Sequence, residues 1–390
     1  VRRFGAALLS LALLLQAAGC RSRPREPEAA QPFVFRSLNL RQQDAQGRPL
    51  WELTSPETRY DLSRRVAQSR DLKGVLYSNG KPAYRFTAAN GVVLNDGEVV
   101  QLEGATRLQR LEDGAEPLVI TAQRVRWYPA RELMELDRNP VATQADLRLT
   151  SQRARFLIDA DRLELRGAPT LVRSGPDPLR LAMEGVDWLP RTGSLQGRGP
   201  VRGERQLPDR APQRLTAPSL TADTRRQTID LQGPVRVDDP DRNGTLTARD
   251  VRIDLPRRLL STDSPFEAQM GEARLVGDQL SIDFGTSLAV VGSGCQLSQP
   301  GDRLTAQRCQ WNWDSGALEA SGGVVLRREA NKQLTRADRL TGKVAENGFV
   351  RFGGGGSGRV RTQLQVPRAP SLGPDPAAPR GERKRPPIAL

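Results

Sequence analysis

The chain has 390 residues, 37% of them hydrophobic and 5% aromatic, with 36 glycines and 29 prolines. That balance argues against a thick globular core and fits thin sheets with many wet positions and tight turns. The net charge of +14 comes from arginines scattered among acids, without the basic stripes and interleaved aromatics of a nucleic-acid surface, and the chain contains no histidine, the commonest general base and metal ligand.

The opening stretch reads as a targeting signal. Arg2 and Arg3 precede an apolar run from Phe4 to Ala18 that ends in Ala17-Ala18-Gly19-Cys20. A run of about 15 apolar residues is short of the nearly 20 that a membrane span needs and suits a secretory signal. Residues 1–19 are therefore expected to be a signal peptide. Cys20 is the expected lipid-attachment site of a lipobox, with Ala17 standing where such boxes usually carry leucine. Residues 20–32 are charged and proline-rich, the composition of a tether.

Phe33, Phe35, Leu38 and Leu40 predict a first strand, followed by a turn at Asp44-Ala45-Gln46-Gly47 and a strand through Leu50-Trp51-Glu52-Leu53. Tyr60-Asp61-Leu62 closes that strand, and Val66 to Tyr77 returns to a turn at Ser78-Asn79-Gly80. A phrase then recurs. It reads Ile120-Thr121-Ala122 with Val125 and Trp127, Leu149-Thr150-Ser151 with Phe156, Leu215-Thr216-Ala217, Leu246-Thr247-Ala248 with Val251 and Ile253, and Leu304-Thr305-Ala306 with Cys309 and Trp311. Weaker copies begin at Leu53, Phe86, Leu181 and Leu334. The period of roughly 31 residues marks a stacked repeat, so residues 33–365 are read as one elongated body.

Within the phrase the apolar positions fall at i, i+2, i+5 and i+7. Strict alternation would put the third at i+4, so one extra residue, a bulge or bend, is expected in mid-strand. The fold class predicted is all-β: an elongated antiparallel β-jelly roll, a V-shaped stack of about twenty strands. Its expected length is some 45 to 50 Å at about 4.8 Å per strand. Gly199-Pro200-Val201 and Gly233-Pro234-Val235 are expected to kink strands at a sheet edge. The Pro- and Arg-rich segment 366–390 is expected to be disordered.

Catalytic chemistry is missing from the sequence. Serines stand in no nucleophile elbow, the cysteines lack metal-ligand spacing, and the glycine run at Gly353 to Gly358 has no phosphate-loop lysine. Asp250 and Asp254 read as a solvated strand face rather than a glycosidase pair. No enzyme, metal or cofactor is expected. Cys295 and Cys309 either form a disulfide or are two small buried side chains.

What remains is a surface. The residues expected to line a greasy groove between the sheets are Trp51, Leu53, Phe86, Ala88, Ile120, Ala122, Val125, Trp127, Leu149, Phe156, Leu215, Ala217, Leu246, Ala248, Val251, Ile253, Leu304, Ala306, Trp311 and Trp313. The plainer reading of each is interior packing.

Phe33-Val34-Phe35, the Asp44-Ala45-Gln46-Gly47 turn, Trp51-Glu52-Leu53, Tyr60-Asp61 and the repeated Leu/Ile-Thr-Ala strands, taken in order, resemble the LptC type of lipopolysaccharide-transport bridge proteins and the related LptA fold. The resemblance is clearest from Phe33 to about Val141. The chain departs from it in being about twice the ordinary length and in carrying a lipobox in place of a transmembrane helix. The resemblance implies a periplasmic protein held by a lipid anchor, at the inner membrane rather than the outer. It implies lipopolysaccharide as cargo, an inner-membrane Lpt ABC transporter as donor, and an LptA or LptD-like β-jelly roll as neighbour. Neighbours would join by edge-strand pairing at Phe33 to Leu40 and Phe349 to Gln365. Three other readings stand beside it: a scaffolding β-repeat lipoprotein that binds only protein, an outer-membrane barrel, and a β-helix enzyme. Scattered strand arginines and few aromatics speak against the barrel, and the lack of histidine and clustered acids against the enzyme.

Overall fold

The computed structural model describes residues 33–111, 116–175, 178–206, 210–329, 332–343, 350–354 and 359–364. The expected signal peptide, Cys20, the tether and the tail from 366 lie outside the described residues. The described residues form an antiparallel, all-β, elongated structure of 31 strand segments in one continuous sheet.

That sheet is doubled along its middle into two layers. Val66–Ser78 shows how: its first half pairs with Glu57–Asp61, its second half with Pro49–Ser55, and Asp71 lies between at φ 48°. Lys81–Leu94, Val99–Arg110 and Val119–Tyr128 also run through both layers. Past Tyr128 the strands divide. Leu133–Asp137, Arg153–Leu157, Arg162–Arg166, Gly185–Leu189, Ser194–Arg198 and Ser219–Asp223 continue the first layer. Val141–Gln144, Leu147–Thr150, Thr170–Arg173, Leu179–Ala182, Val201–Arg205 and Gln213–Ala217 continue the second. Thr228–Asp239 rejoins the layers, and bent strands carry both onwards to Gln333–Lys343.

The extra residue in the repeated phrase is the fold line. Opposite Gln123, Gly104 and Ala105 take φ 74° and 44° where the register shifts between Glu103 and Thr106. Ile120, Ala122, Val125 and Trp127 consequently all point inward, each less than a tenth exposed. Comparable shifts follow Gln232, Ala248, Thr262, Val276 and Ser321. Doubling the chain this way lets both halves of one strand bury apolar side chains against each other, so each repeat closes its own slice of core.

Four expectations are corrected. Phe33–Phe35 and Leu38–Gln43 are two segments in different layers, separated by Ser37 at φ 112°. The segments outnumber the predicted twenty because breaks at the fold line divide strands that the sequence pattern runs together. Pro234 sits in the bulge between Gln232 and Val235, and Pro200 between Ser194–Arg198 and Val201–Arg205, so both lie at the fold line and not at an edge. A missing N–H is harmless there because the ladder is already interrupted. The stack is also longer than expected: each repeat adds an outgoing and a returning strand to both layers, and about twenty rungs at ~4.8 Å span about 95 Å.

One apolar core runs from Trp51 to Leu340 between the layers. The outer faces carry ionic ladders, such as Arg162, Arg166 and Arg198 around Asp187 at 3.1, 2.7 and 2.8 Å. With the arginines more than a third exposed, each such pair contributes at most about 1 kcal/mol, which leaves burial to hold the layers together. A disulfide joins Cys295 to Cys309 near the fold line, with Cα atoms 5.9 Å apart.

Candidate functional site

The space between the layers changes character along the molecule. Around Trp51, Phe86, Trp127 and Phe156 it is filled. Trp127 of the first layer meets Trp51 and Phe86 of the second edge-on, with ring centroids 5.4 and 5.5 Å apart, and Phe156 meets Tyr84 at 5.4 Å. These aromatic pairs interlock because one ring's positive edge faces another's negative face. Leu53, Leu149 and Phe156 are wholly buried there.

The outer tips of the two layers are also tied together in this part. Tyr84 and Arg110, at strand ends of the second layer, both donate to Asp161 in a tip turn of the first. The Arg191 backbone N–H donates to the same carboxylate at 2.8 Å, and the arginine and aspartate side chains are each 5% exposed. Farther along, Arg173 of the second layer donates to Gln227 of the first at 3.2 Å.

Burial, and then the hydrogen bond to Asp161, push the Tyr84 hydroxyl from 10.0 up to about 12. A raised folded value means the neutral phenol is favoured by folding. The stabilisation is complete below the unfolded value and is lost as pH rises from about 10 to about 12. The expected loss is on the order of 2–3 kcal/mol. Urea unfolding at pH 8, 10 and 12 should show it, and Tyr84→Phe should flatten the difference; equal pH dependence in both chains contradicts the assignment.

Beyond Arg173 the layers part. A cavity of about 90 Å3 lies between Leu179, Leu215 and Val237 on one side and Ile253, Leu260 and Phe284 on the other. It shares Val237, Leu260 and Phe284 with a cavity of about 210 Å3 that reaches Leu246, Leu275, Ile282, Trp311 and Trp313. That one shares Leu275, Ala289, Leu297 and Trp311 with a cavity of about 500 Å3 extending to Leu304, Leu326, Leu340 and Val350. Shared lining residues set the three cavities side by side between the layers, as a row of mainly apolar spaces.

Charge gathers at its lip. Arg173, Arg205, Arg214 and Arg258 border the first cavity, with Asp254 the only carboxylate among its lining residues. Arg242 pairs with Asp239 at 3.0 Å beside the second, and Arg328 with Asp302 at 3.6 Å beside the third.

Residues 4–170 match the LptC-related family of lipopolysaccharide-assembly proteins. No curated protein matches the chain. The LptC-like region, where it is described, holds the filled and tied part together with a cavity of about 280 Å3 at its N-terminal end, between Leu38 and Leu40 of one layer and Tyr60, Ala67 and Val93 of the other, and the three cavities above follow it. Among the described residues no group of three or more His, Cys, Asp or Glu is placed to hold a metal ion.

The predicted groove residues divide accordingly. Leu246, Trp311 and Trp313 line the second cavity, Leu304 and Trp311 the third, and Leu215 and Ile253 the first. Ala306 packs half-buried against the core beside them. Ala217, Ala248 and Val251 lie in the core near the fold line. Trp51, Leu53, Phe86, Ala88, Ile120, Ala122, Val125, Trp127, Leu149 and Phe156 pack in the filled part, all less than a tenth exposed. Sequence reasoning missed Leu275, Leu297 and Ala289 in the walls, all on strands, and Phe284, in the turn that follows Ala273–Asp283. Asp250 has a structural task, accepting from Thr262 at 2.9 Å and Ser264 at 2.6 Å, and Asp254 accepts from the Arg257 N–H at 3.0 Å in a tip turn.

Proposed function

We propose that this chain is a non-enzymatic periplasmic bridge that receives lipopolysaccharide from an inner-membrane ABC transporter and passes it towards the outer membrane. The observation that carries the reading is the row of adjoining, mainly apolar cavities between the layers, placed directly after an LptC-like region. Acyl chains lie on its floor, against Leu246, Leu304, Trp311 and Trp313, and the two layers are the sides of an LptA-like V-shaped jelly roll. Passage between similar apolar sites keeps each step's barrier low, and energy comes from the transporter because the chain has no phosphate-binding loop.

The ends of the stack support end-to-end assembly. Phe33, Val34 and Phe35 are 55%, 58% and 45% exposed on a terminal strand, and an apolar notch beside them is lined by Leu38, Leu40, Tyr60 and Val93. An LptA or LptD-like jelly roll adds its strand there or at Arg361–Gln363. A lipid on Cys20 holds the protein at the inner membrane. Among the described residues no helix is long and apolar enough to cross one.

Photocrosslinking in cells tests this. A photoreactive residue at Leu246 or Leu304 is expected to capture lipopolysaccharide while the transporter is energised, and one at the outward Arg252 is expected to capture none. Protein adducts alone at the inward sites would leave a scaffold and not a conduit.

A further inference from the structure

We propose that the outer face of the second layer, from Lys73 to Arg202, docks on the anionic surface of the membrane that holds the chain's N-terminus. This docking takes from the reading above only the lipid on Cys20 and does not depend on the groove.

Charge is distributed differently on the outer faces of the two layers. On the first layer the outward arginines stand among acids: Arg126 lies 3.2 Å from Asp137, Arg155 lies 3.7 Å from Glu164, and three arginines surround Asp187. On the second layer the strands from Val66–Ser78 to Val201–Arg205 turn Lys73, Arg85, Arg107, Arg148, Arg180 and Arg202 outward, among threonines and valines and with no carboxylate. All six cations are exposed, and none forms an ion pair with another described residue. Glu52, paired with Arg41, closes this face at one end, and Glu204, opposite Arg180 and 3.8 Å from Arg214, closes it at the other. Along the margins Lys81, Arg138 and Arg173 stand against Asp71, Glu116, Asp146 and Glu184, close to balance, so the face keeps its excess. Three more acids, Glu112, Asp113 and Asp177, fall outside the described residues and number half of the six cations. Like charges gathered on one face repel, and an anionic surface relieves that repulsion.

The shape of the face suits a membrane better than a protein partner. It crosses nine strands, which at ~4.8 Å each spreads the cations over about 38 Å. Between Arg85 and Arg202 no aromatic side chain stands on it, whereas the centre of a protein interface is rich in aromatic anchors. Cations strung along a sheet match a partner whose own charge is spread out, as lipid headgroups are.

Reach is consistent with this. Residues 21–32 extend at most about 43 Å between Cys20 and the body. Phe33–Phe35 pairs with Glu57–Asp61, which pairs with Val66–Ser78, so the face begins two strands from the tethered end. The twist of a sheet carries distant strands away from a plane. Lys73, Arg85 and Arg107, on consecutive strands, therefore make the closest approach, and Arg180 and Arg202 contribute less.

Photocrosslinking on vesicles tests the docking. The full chain carries a photoreactive residue either at Thr121, which pairs with Arg107 across the strands, or at Gln68, outward and exposed on the first layer nearer the tether. It is reconstituted on vesicles of phosphatidylcholine alone or of phosphatidylcholine mixed with phosphatidylglycerol. Lipid adducts are expected at Thr121 on the mixed vesicles, with few on phosphatidylcholine and few at Gln68 on either. About 1 M salt, which screens exposed charges beyond ~3 Å, is expected to remove them. Arg85→Gln/Arg107→Gln is expected to lower the yield about tenfold or more, Arg85→Lys/Arg107→Lys to keep it, and Arg180→Gln/Arg202→Gln to lower it less. Equal yields at Thr121 and Gln68, or on the two vesicles, would mean that the tether alone brings lipid near, and would overturn the docking. So would an Arg85→Gln/Arg107→Gln chain that crosslinks like the parent, or no lipid adduct at all. Protein adducts without lipid adducts at Thr121 in cells would give the face to an acidic protein instead. None of these results bears on the cavities, whose test lies at Leu246 and Leu304.

Discussion

Asp161→Ala is expected to lower the free energy of unfolding by about 3–5 kcal/mol, the range for breaking a buried ion pair from one side. The carboxylate accepts from Tyr84, Arg110 and the Arg191 N–H within an environment where both charged side chains are 5% exposed. Its removal takes a buried carboxylate away from the Arg110 guanidinium and the acceptor away from the Tyr84 hydroxyl, and an alanine methyl repairs neither. Replacing the set together, as Tyr84→Phe/Arg110→Met/Asp161→Leu, is expected to be far milder, because an apolar cluster of similar volume needs no desolvation of charge. Urea unfolding of the two variants checks this. A loss under about 1 kcal/mol in Asp161→Ala, the level of a surface pair, would show that the tie between the tips carries little.

The second large effect is on binding. Ala289 lines both the cavity walled by Trp311 and Trp313 and the larger one beyond it. An indole at this position sits in the shared wall and fills space that the native protein leaves open. Ala289→Trp is therefore expected to weaken capture of purified lipopolysaccharide by about tenfold or more, roughly 1.4 kcal/mol, while the melting temperature stays close to that of the parent. The same exchange within the filled part would force side chains out of their rotamers and destabilise the fold. Undiminished binding by a well-folded Ala289→Trp chain would mean that the lipid, if bound, lies elsewhere.

The doubled sheet was legible because the bulge leaves a mark in the sequence. Ile120, Ala122, Val125 and Trp127 share one interior only if the strand bends between Ala122 and Val125, and the register shift opposite them is where that offset requires it. The Leu/Ile-Thr-Ala phrase reports a local constraint repeated many times, which is the kind of signal a single sequence carries well. Strand ends were less legible. Pro200 and Pro234 have the same chemistry at an edge as at a fold line, and only the pairing of their neighbours tells the two apart.

Which stretch of the interior is open left no local mark at all. Leu149 and Leu246 stand in the same place in the same phrase, yet one is wholly buried and the other lines a cavity. What accompanies the difference is contact between layers: Asp161 meets Arg110 from 51 residues away and Tyr84 from 77, and in sequence it is one more acid in a turn. Likewise Arg173, Arg205, Arg214 and Arg258 come from separate repeats and look like the other scattered arginines until the layers bring them to one cavity.

The central claim is that acyl chains occupy the open groove and not the filled part. It is tested most directly by placing one photoreactive residue at Ile120, Leu246 or Leu304 in turn and exposing cells with an energised transporter to light. Lipopolysaccharide adducts at Leu246 and Leu304, and none at Ile120, are predicted; adducts at Ile120 alone, or at none of the three, would contradict the account.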